Sequence, residues 1–314
     1  MLNNVDIFVT GGAGTLGRAI AKRRKNEGWK GKLTVYSTDN HKHQYMRSLY
    51  PDVNFVQGDI RNTETLRLAM VGHDVVIHAA AVKVIPDSEW WSLDTMDVNV
   101  GGSQSVCMAA RETGISHVLG ISTDKACHPA NAYGATKYLM EKIFQEYARA
   151  GGDTQFHLVR YGNVLESTGS VIEAWNTAVA AGKPVKLTDG TMTRFWLSPA
   201  QAVDLVLEAF KCASGQIYVP KAPALSILKL LEYTIGLENC EIEKVALRPG
   251  EKLHETLVTS EEWDFTDVEF DDCFVIDPTT TTRKPKPIEL EPFTSANTLE
   301  LTKIDLEELL NDDR

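Results

Sequence analysis

Tyr133 and Lys137 stand four residues apart, the spacing that puts two side chains on one face of a helix. A lysine ammonium beside a phenol stabilises the phenolate and lowers its pKa from about 10 toward the working pH. Such a tyrosine can take a proton from a hydroxyl while hydride leaves the same carbon. Thr123, ten residues earlier, offers a hydroxyl to the same substrate oxygen, and Asp124 and Lys125 follow it directly. Oxidation or epimerisation at one carbon needs a single acid/base group. Eliminating water across the next two carbons needs a base for one proton and an acid for the leaving hydroxyl. An adjacent Asp and Lys supply both if burial lowers the lysine pKa and raises the aspartate pKa. The same residues on a surface helix and a loop would form only a weak ion pair, so their position in the fold decides.

The elements that must position them alternate. Val5–Thr10 is an apolar run ending in glycines, and a helical pattern follows over Thr15–Glu27. Strand-like runs at Lys32–Ser37, Val53–Gln57, Asp74–His78, His117–Ser122 and Phe156–Tyr161 alternate with helical segments at Asn62–Met70, Asp94–Thr113 and Gly134–Arg149. This predicts an α/β fold: a Rossmann-like doubly wound parallel sheet with helices on both faces. Thr123–Lys125 then sit at the C-terminal end of a strand, where such sheets bind ligands. The helical run Pro199–Cys212 and the strand Gln216–Val219 are expected to return to the sheet. From about residue 164 the alternation fails and Pro and Gly become frequent. The expected organisation is a dinucleotide-binding domain over 1–163, rejoined by 199–219, and a smaller C-terminal substrate-binding lobe built from 164–198 and 220–276. Residues 277–314 are expected to form an extended Thr/Pro/Lys-rich arm over Asp277–Pro292, followed by a solvated surface helix at Leu301–Leu310.

Gly11, Gly14 and Gly17 fit G-x-x-G-x-x-G between a strand and a helix, with Thr15 and Leu16 at the helix start. Glycines there let the backbone approach a pyrophosphate, and the helix N-terminus holds its charge. Asp59 and Ile60 are expected near the adenine, and His78, Ala79, Ala80 and Ala81 along the middle of the cofactor. NAD sites place a carboxylate at the end of the second strand. Here that position is Ser37, followed by Thr38, Asp39 and Lys42. The missing carboxylate and the nearby lysine point to NADP; NAD stays possible because of Asp39, unless that residue caps the next helix.

Composition narrows the class. The chain has 314 residues, 43% hydrophobic, and a formal net charge of −11. It can bury a large core, and its acidity argues against nucleic-acid partners. The five cysteines are scattered, and the eight histidines show no metal-ligand grouping, so no metal is expected. His41 and His43 read as solvated residues of a polar turn. No apolar run reaches membrane length, so a cytoplasmic protein without a membrane partner is expected.

Taken together, the motifs resemble the extended short-chain dehydrogenase/reductase family, and within it the inverting UDP-N-acetylglucosamine 4,6-dehydratases of pseudaminic-acid-type pathways. The resemblance is carried by TGGAGTLG (Thr10–Gly17), GDIRN (Gly58–Asn62), HAAAVKVIPDSE (His78–Glu89) and STDKACHPANAYGATK (Ser122–Lys137). It continues through RYGNV (Arg160–Val164), MTRFW (Met192–Trp196), YVPKAP (Tyr218–Pro223) and RPGEKLHE (Arg248–Glu255). It implies a dehydrogenase trio of Thr123, Tyr133 and Lys137, with Asp124 as acid and Lys125 as the C5 base. It also implies that Lys83 and Asn163 line the substrate pocket, Lys83 bordering the cofactor as well, and that Arg194 and the Arg248–Glu251 loop hold UDP. A UDP-sugar substrate, bound NADP and a homo-oligomer, hexamer or dimer, are further implications. The sequence departs from the family's pattern at Thr38, where an arginine is usual, at the Glu166–Ser170 loop, and at Trp90 and Trp91. The alternatives are a UDP-hexose 4-epimerase, a retaining 4,6-dehydratase, or a nucleotide-binding protein without catalysis. The Asp124–Lys125 pair favours a dehydratase over an epimerase, and retaining dehydratases usually carry Asp-Glu at that place.

Overall fold

The computed structural model describes residues 2–167, 169–267, 272–278 and 291–312. Short apolar runs bounded by turns form six parallel strands: β1 (Ile7–Thr10), β2 (Leu33–Ser37), β3 (Asn54–Gln57), β4 (Val75–His78), β5 (His117–Thr123) and β6 (Gln155–Tyr161). Their order in the sheet is β3-β2-β1-β4-β5-β6. All neighbours in that run pair in parallel. β1 and β4 are buried at every position, as strands covered on both faces must be. Alternate residues feed two cores. Phe8, Val76, Val118 and Leu158 join one, with Met140 and Phe144 of the helix Ala132–Arg149. Ile7, Val9, Ile77, Leu119 and Val159 join the other, with Ile20 and Ala21 of α1 (Thr15–Glu27). Helices thus pack on both faces, and the chain reverses direction across the sheet between β1 and β4. In such sheets the ligand crevice lies at that switch, outside the carboxyl ends of the strands.

The returning strand is Ile217–Pro220, parallel to β6. The sheet continues beyond it with Cys273–Ile276 and then Thr266–Asp267, both antiparallel to their neighbours. The stretch 220–276 expected in the lobe therefore ends in the main sheet. Pairing with Ile217–Pro220 buries all four residues of Cys273–Ile276, which local composition does not reveal. The lobe has its own core around Leu165, Trp175, Trp196, Leu230 and Leu231. Its small sheet joins Asn163–Val164 to Thr193–Leu197, and that strand to Ala224–Ser226.

The helical segment expected at Asp94–Thr113 is found at 92–112 as Ser92–Met96 and Gly102–Glu112 joined by a π-helical turn at Asp97–Gly101, and two further expectations are corrected. The turn presents Asn99, whose amide bonds both the N–H and the C=O of Val82 (2.8 and 2.9 Å) and donates to Thr136 Oγ1 at 3.0 Å. It ties the loop after β4 to the helix that carries Tyr133, a common use of such bulges. His43 is buried rather than solvated, because the polar turn is the start of a helix, α2 (Asn40–Leu49), packed beside β3. The C-terminal helix, Lys303–Leu310, is not a solvated surface helix: Leu301 and Leu306 are buried in the lobe core. Phe293–Thr294 pairs with Thr256–Val258, so the chain is packed again there; the rest of the expected arm, 279–290, lies outside the described residues. Among the described residues no helix is long and apolar enough to cross a membrane.

Candidate active site

A cavity of about 760 Å³ opens at the carboxyl ends of the strands, lined by the glycine loop, the ends of β2 and β5, and the loops after β3 and β4. Gly11 has φ 63°, and a Cβ there would lie 2.6 Å from Ala80 Cα. A Cβ on Gly17 would meet Gly12 O at 1.9 Å. Both glycines are required by close backbone approach. Gly14 is the N-cap of α1 and brings no side-chain cap, while the buried Thr15 Oγ1 has no partner. Free N–H groups, an unused hydroxyl and this volume fit a dinucleotide pyrophosphate. Leu16, Asp59, Ile60, Ala79, Ala80 and Ala81 line the same cavity, as expected of cofactor-facing residues. His78 does not. It is fully buried, bonded to Thr10 Oγ1 (2.7 Å) and Ser103 Oγ (3.0 Å), and burial holds it neutral with a pKa of about 3.

At the end of β2, Ser37, Thr38, Asp39 and Lys42 line the cavity. Asp39 caps α2, accepting from Lys42 N–H at 3.0 Å, and its other oxygen pairs with Lys42 Nζ at 3.0 Å. This carboxylate is thus engaged in a cap and an ion pair.

Thr123, Lys125 and Tyr133 line the cavity from the β5 side. Thr123 donates to Asp124 Oδ1 at 2.8 Å, and Lys125 Nζ donates to the same oxygen at 2.9 Å. Lys125 also donates to Asn163 Oδ1 at 3.2 Å and lies 3.7 Å from Glu255 Oε1. Asp124 and Glu255 are buried, and each has one carboxylate oxygen without a hydrogen bond. The expectation that burial lowers the Lys125 pKa is corrected. Desolvation does push it down, but Asp124 and Glu255 together outweigh this and raise it, so Lys125 rests as an ammonium. Glu255 is the site residue that local reading did not single out. It ends the RPGEKLHE segment, directly before the strand Thr256–Val258, and among the charged residues of that segment nothing local sets it apart.

Asn131 caps the helix Ala132–Arg149, accepting from Gly134 N–H and donating to Gly250 O at 2.9 Å. Its start, with Tyr133, is thereby fixed to the Arg248–Glu251 loop. One turn beyond Lys137, Glu141 is clamped by buried Arg160 (2.8 and 2.9 Å), which also grips Glu262. The expected lowering of the Tyr133 pKa by Lys137 is not found in the protein alone. Burial raises Tyr133 to about 12, against the opposing pull of the Lys125 ammonium and a hydrogen bond with Thr123. Lys137 is buried on Met140 Sδ at 2.9 Å, and burial lowers it to about 7 against the pull of Glu141.

This last shift has a stability consequence. A lysine with a pKa of about 7 when folded and the ordinary 10.5 when unfolded disfavours folding wherever the unfolded chain holds the extra proton. Its contribution therefore worsens as pH falls from 10.5 toward 7. Lys137→Met is expected to raise the melting temperature at pH 8 while abolishing turnover. A melting temperature lowered by the substitution would contradict a desolvated, functionally held lysine.

A second cavity, about 330 Å³, shares Lys83, Lys125 and Asn163 with the first and extends into the lobe. Desolvation, and the charges of Lys42 and Arg18, lower the Lys83 pKa. Arg194, Arg248 and Glu251 line this cavity. Three of the five Arg194 donors are engaged: NH1 and NH2 donate to the carbonyls of Thr193, Leu253 and Lys252 at 2.7–3.1 Å. It holds the loop that presents Glu251 and Glu255, lying 4.0 and 3.9 Å from them. Arg248 is exposed and pairs with Glu251 at 3.1 Å.

A run of six parallel strands in this order within the main sheet, a glycine loop at the switch point and Tyr133/Lys137 after β5 define a short-chain dehydrogenase/reductase of the extended kind. The chain belongs to the polysaccharide biosynthesis protein family, which matches residues 7–278. It is 36% identical over 284 residues to a UDP-N-acetylglucosamine 4,6-dehydratase (inverting) from Campylobacter jejuni, covering 88% of this chain and 84% of that one. It is also 36% identical over 329 residues to a UDP-glucose 4-epimerase from Rickettsia rickettsii, covering 97% and 94%. The X-ray structure of Pen from Bacillus thuringiensis superposes with a TM-score of 0.90 at 30% identity, covering 100% of this chain and 98% of that one. More distant structures of the same fold carry bound NAD.

Proposed function

We propose that this protein is a lyase, a UDP-N-acetylglucosamine 4,6-dehydratase that inverts C5. The observation that carries the reading is Lys125, an ammonium between two buried carboxylates, at the junction of the cofactor and lobe cavities and beside Tyr133. The glycine loop (Gly11, Gly14, Thr15) and Ala79–Ala81 would hold an oxidised nicotinamide dinucleotide, which when bound would supply a hydride acceptor for C4 and a hydride donor for C6. Tyr133, once it has ionised and released its own proton to solvent, takes the C4 hydroxyl proton as the phenolate, and the resulting ketone acidifies the C5 proton. One proton moves from Lys125 Nζ to Asp124 Oδ1 across 2.9 Å, leaving a neutral amine and a carboxylic acid. The two carboxylates hold Lys125 as the ammonium at rest, so this transfer arms the base only during turnover. Lys125 then removes the C5 proton, Asp124 protonates the leaving C6 hydroxyl, and water departs. After hydride returns, Lys125 protonates C5 on the inverting face. Tyr133 now holds one proton too many and Asp124 one too few. Tyr133 bonds Thr123, which donates to Asp124 Oδ1, so a shift along that line resets both.

Product analysis by NMR after incubation with UDP-N-acetylglucosamine tests the reading. The Rickettsia relatives support a second one, 4-epimerisation, which needs Tyr133 and Lys137 but gives the Asp124–Lys125–Glu255 cluster nothing to do. The cofactor is a nicotinamide dinucleotide, and we take it to be NADP because Asp39 is engaged by the α2 cap and Lys42. UDP lies in the lobe cavity. Arg248→Ala is expected to weaken UDP binding about tenfold, the value of one charge-assisted contact to a diphosphate, measured by calorimetry. Unchanged affinity would put the nucleotide elsewhere. The protein works in the cytoplasm as a homo-oligomer. Trp90, Trp91 and Leu93 are 79%, 65% and 74% exposed, next to the partly exposed Tyr138 and Leu139, an apolar face suited to a second copy.

A further inference from the structure

The end of β2 carries a feature that neither the cap nor the ion pair of Asp39 explains. Ser37 faces the cofactor cavity, and its Oγ lies 2.7 Å from Nε2 of His43. That imidazole is buried beneath it, with the Phe55 ring of β3 at 5.5 Å. The charged groups that face His43 belong to its own helix: Asp39 at the N-cap, paired with Lys42, and Arg47 one turn on. Arg47 lies over the other neighbour, the Phe55 ring, at 5.2 Å. β3 (Asn54–Gln57) has no titratable residue, and Tyr36 of β2 points into the opposite core.

A serine hydroxyl has one proton. To donate it to an anion in the cavity, Ser37 must accept from His43, which requires a hydrogen on Nε2. To accept from a ribose hydroxyl, Ser37 can instead spend its proton on a bare Nε2. The imidazole therefore sets which way the serine faces. We propose that His43 is a specificity-determining residue for the dinucleotide: acting through Ser37, it favours a 2′-phosphate over a 2′-hydroxyl on the adenosine ribose, most strongly when the imidazole is protonated. This rests on the dinucleotide reading given above. Burial and Arg47 lower the His43 pKa, and Asp39 opposes them. An incoming phosphate pushes it up, so NADP binding draws a proton onto His43 and NAD binding does not.

The test is titration of the full chain with NADP and with NAD between pH 5.5 and 8.5, for the wild type, His43→Leu and Ser37→Ala. The 2′-phosphate itself gains a proton near pH 6. In His43→Leu, which has no N–H to offer Ser37, the NADP:NAD affinity ratio should therefore fall as pH is lowered. In the wild type, protonation of His43 offsets that fall. At pH 5.5 the wild-type ratio should exceed that of His43→Leu by about tenfold, the lower value of one hydrogen bond to a charged group. At pH 8.5 the two should agree within about threefold. Ser37→Ala, which leaves the buried imidazole in place, should follow the His43→Leu profile and carries the test if that variant does not fold. Superimposable profiles for wild type and variants, with both dinucleotides bound, would overturn the inference alone. A wild type that binds neither dinucleotide would overturn the dinucleotide reading and this inference with it.

Discussion

Lys125→Ala is expected to stop elimination altogether, with turnover down by at least about 10³-fold, within the range for a general base. Two effects act together. The C5 proton loses its acceptor, and Asp124 loses the neighbour that hands it a proton at 2.9 Å. The substitution also leaves two buried carboxylates, Asp124 and Glu255, without their shared cation. Removing one partner of a buried ion pair costs about 3–5 kcal/mol, so the variant should melt at a lower temperature at neutral pH. Oxidation at C4 needs Tyr133 rather than Lys125, so substrate should still produce reduced-nicotinamide absorbance in the holoenzyme. Turnover within tenfold of wild type would remove Lys125 from the chemistry.

Tyr133→Phe should cut turnover by about 10²–10⁴-fold with dinucleotide affinity unchanged, since the ring still packs and only the hydroxyl is lost. Here no reduced-nicotinamide absorbance should appear on adding substrate, which separates this variant from Lys125→Ala. The resting phenol, held at about 12 by burial, must ionise during the reaction. Spectrophotometric titration of wild type against Tyr133→Phe should show this tyrosine shifting downward when the oxidised dinucleotide binds, because a cationic ring brings an opposite charge to the phenolate. A variant that still oxidises substrate would give the base role to another group.

The strands of the nucleotide-binding half were legible within two residues because their signals are local. Apolar runs such as Val75–His78 are cut off by turns, and Gly11, Gly14 and Gly17 mark the strand-to-helix crossing. Thr123, Tyr133 and Lys137 could be read for the same reason: one strand end and the first helical turns after it hold all three. What escaped depends on segments far apart in the chain. Cys273–Ile276 joins the main sheet by pairing with Ile217–Pro220, and Leu306 is buried by docking on the lobe core. Glu255 reaches Lys125 only through the lobe, and adds to the larger effect of Asp124 in reversing the sign of a pKa shift that burial alone would have set. Arg194 carries a role that its residue type does not show: besides suiting a diphosphate, it spends three of its five donors on backbone carbonyls that hold the 252–253 loop. His43 sits in a polar stretch and becomes buried because α2 lies against β3.

The central claim is that one site oxidises C4, eliminates across C5 and C6, and reprotonates C5 with inversion. Turnover of UDP-N-acetylglucosamine by the holoenzyme in D₂O, followed by NMR of the product, tests it most directly. The expected product is a 4-keto-6-deoxy sugar of L-arabino configuration with one deuterium at C5. The hydrogen that moves from C4 to C6 should be undiluted by solvent, and no dinucleotide should be consumed. A D-xylo product would contradict inversion, and a 4-epimer with C6 unchanged would contradict the dehydratase account as a whole.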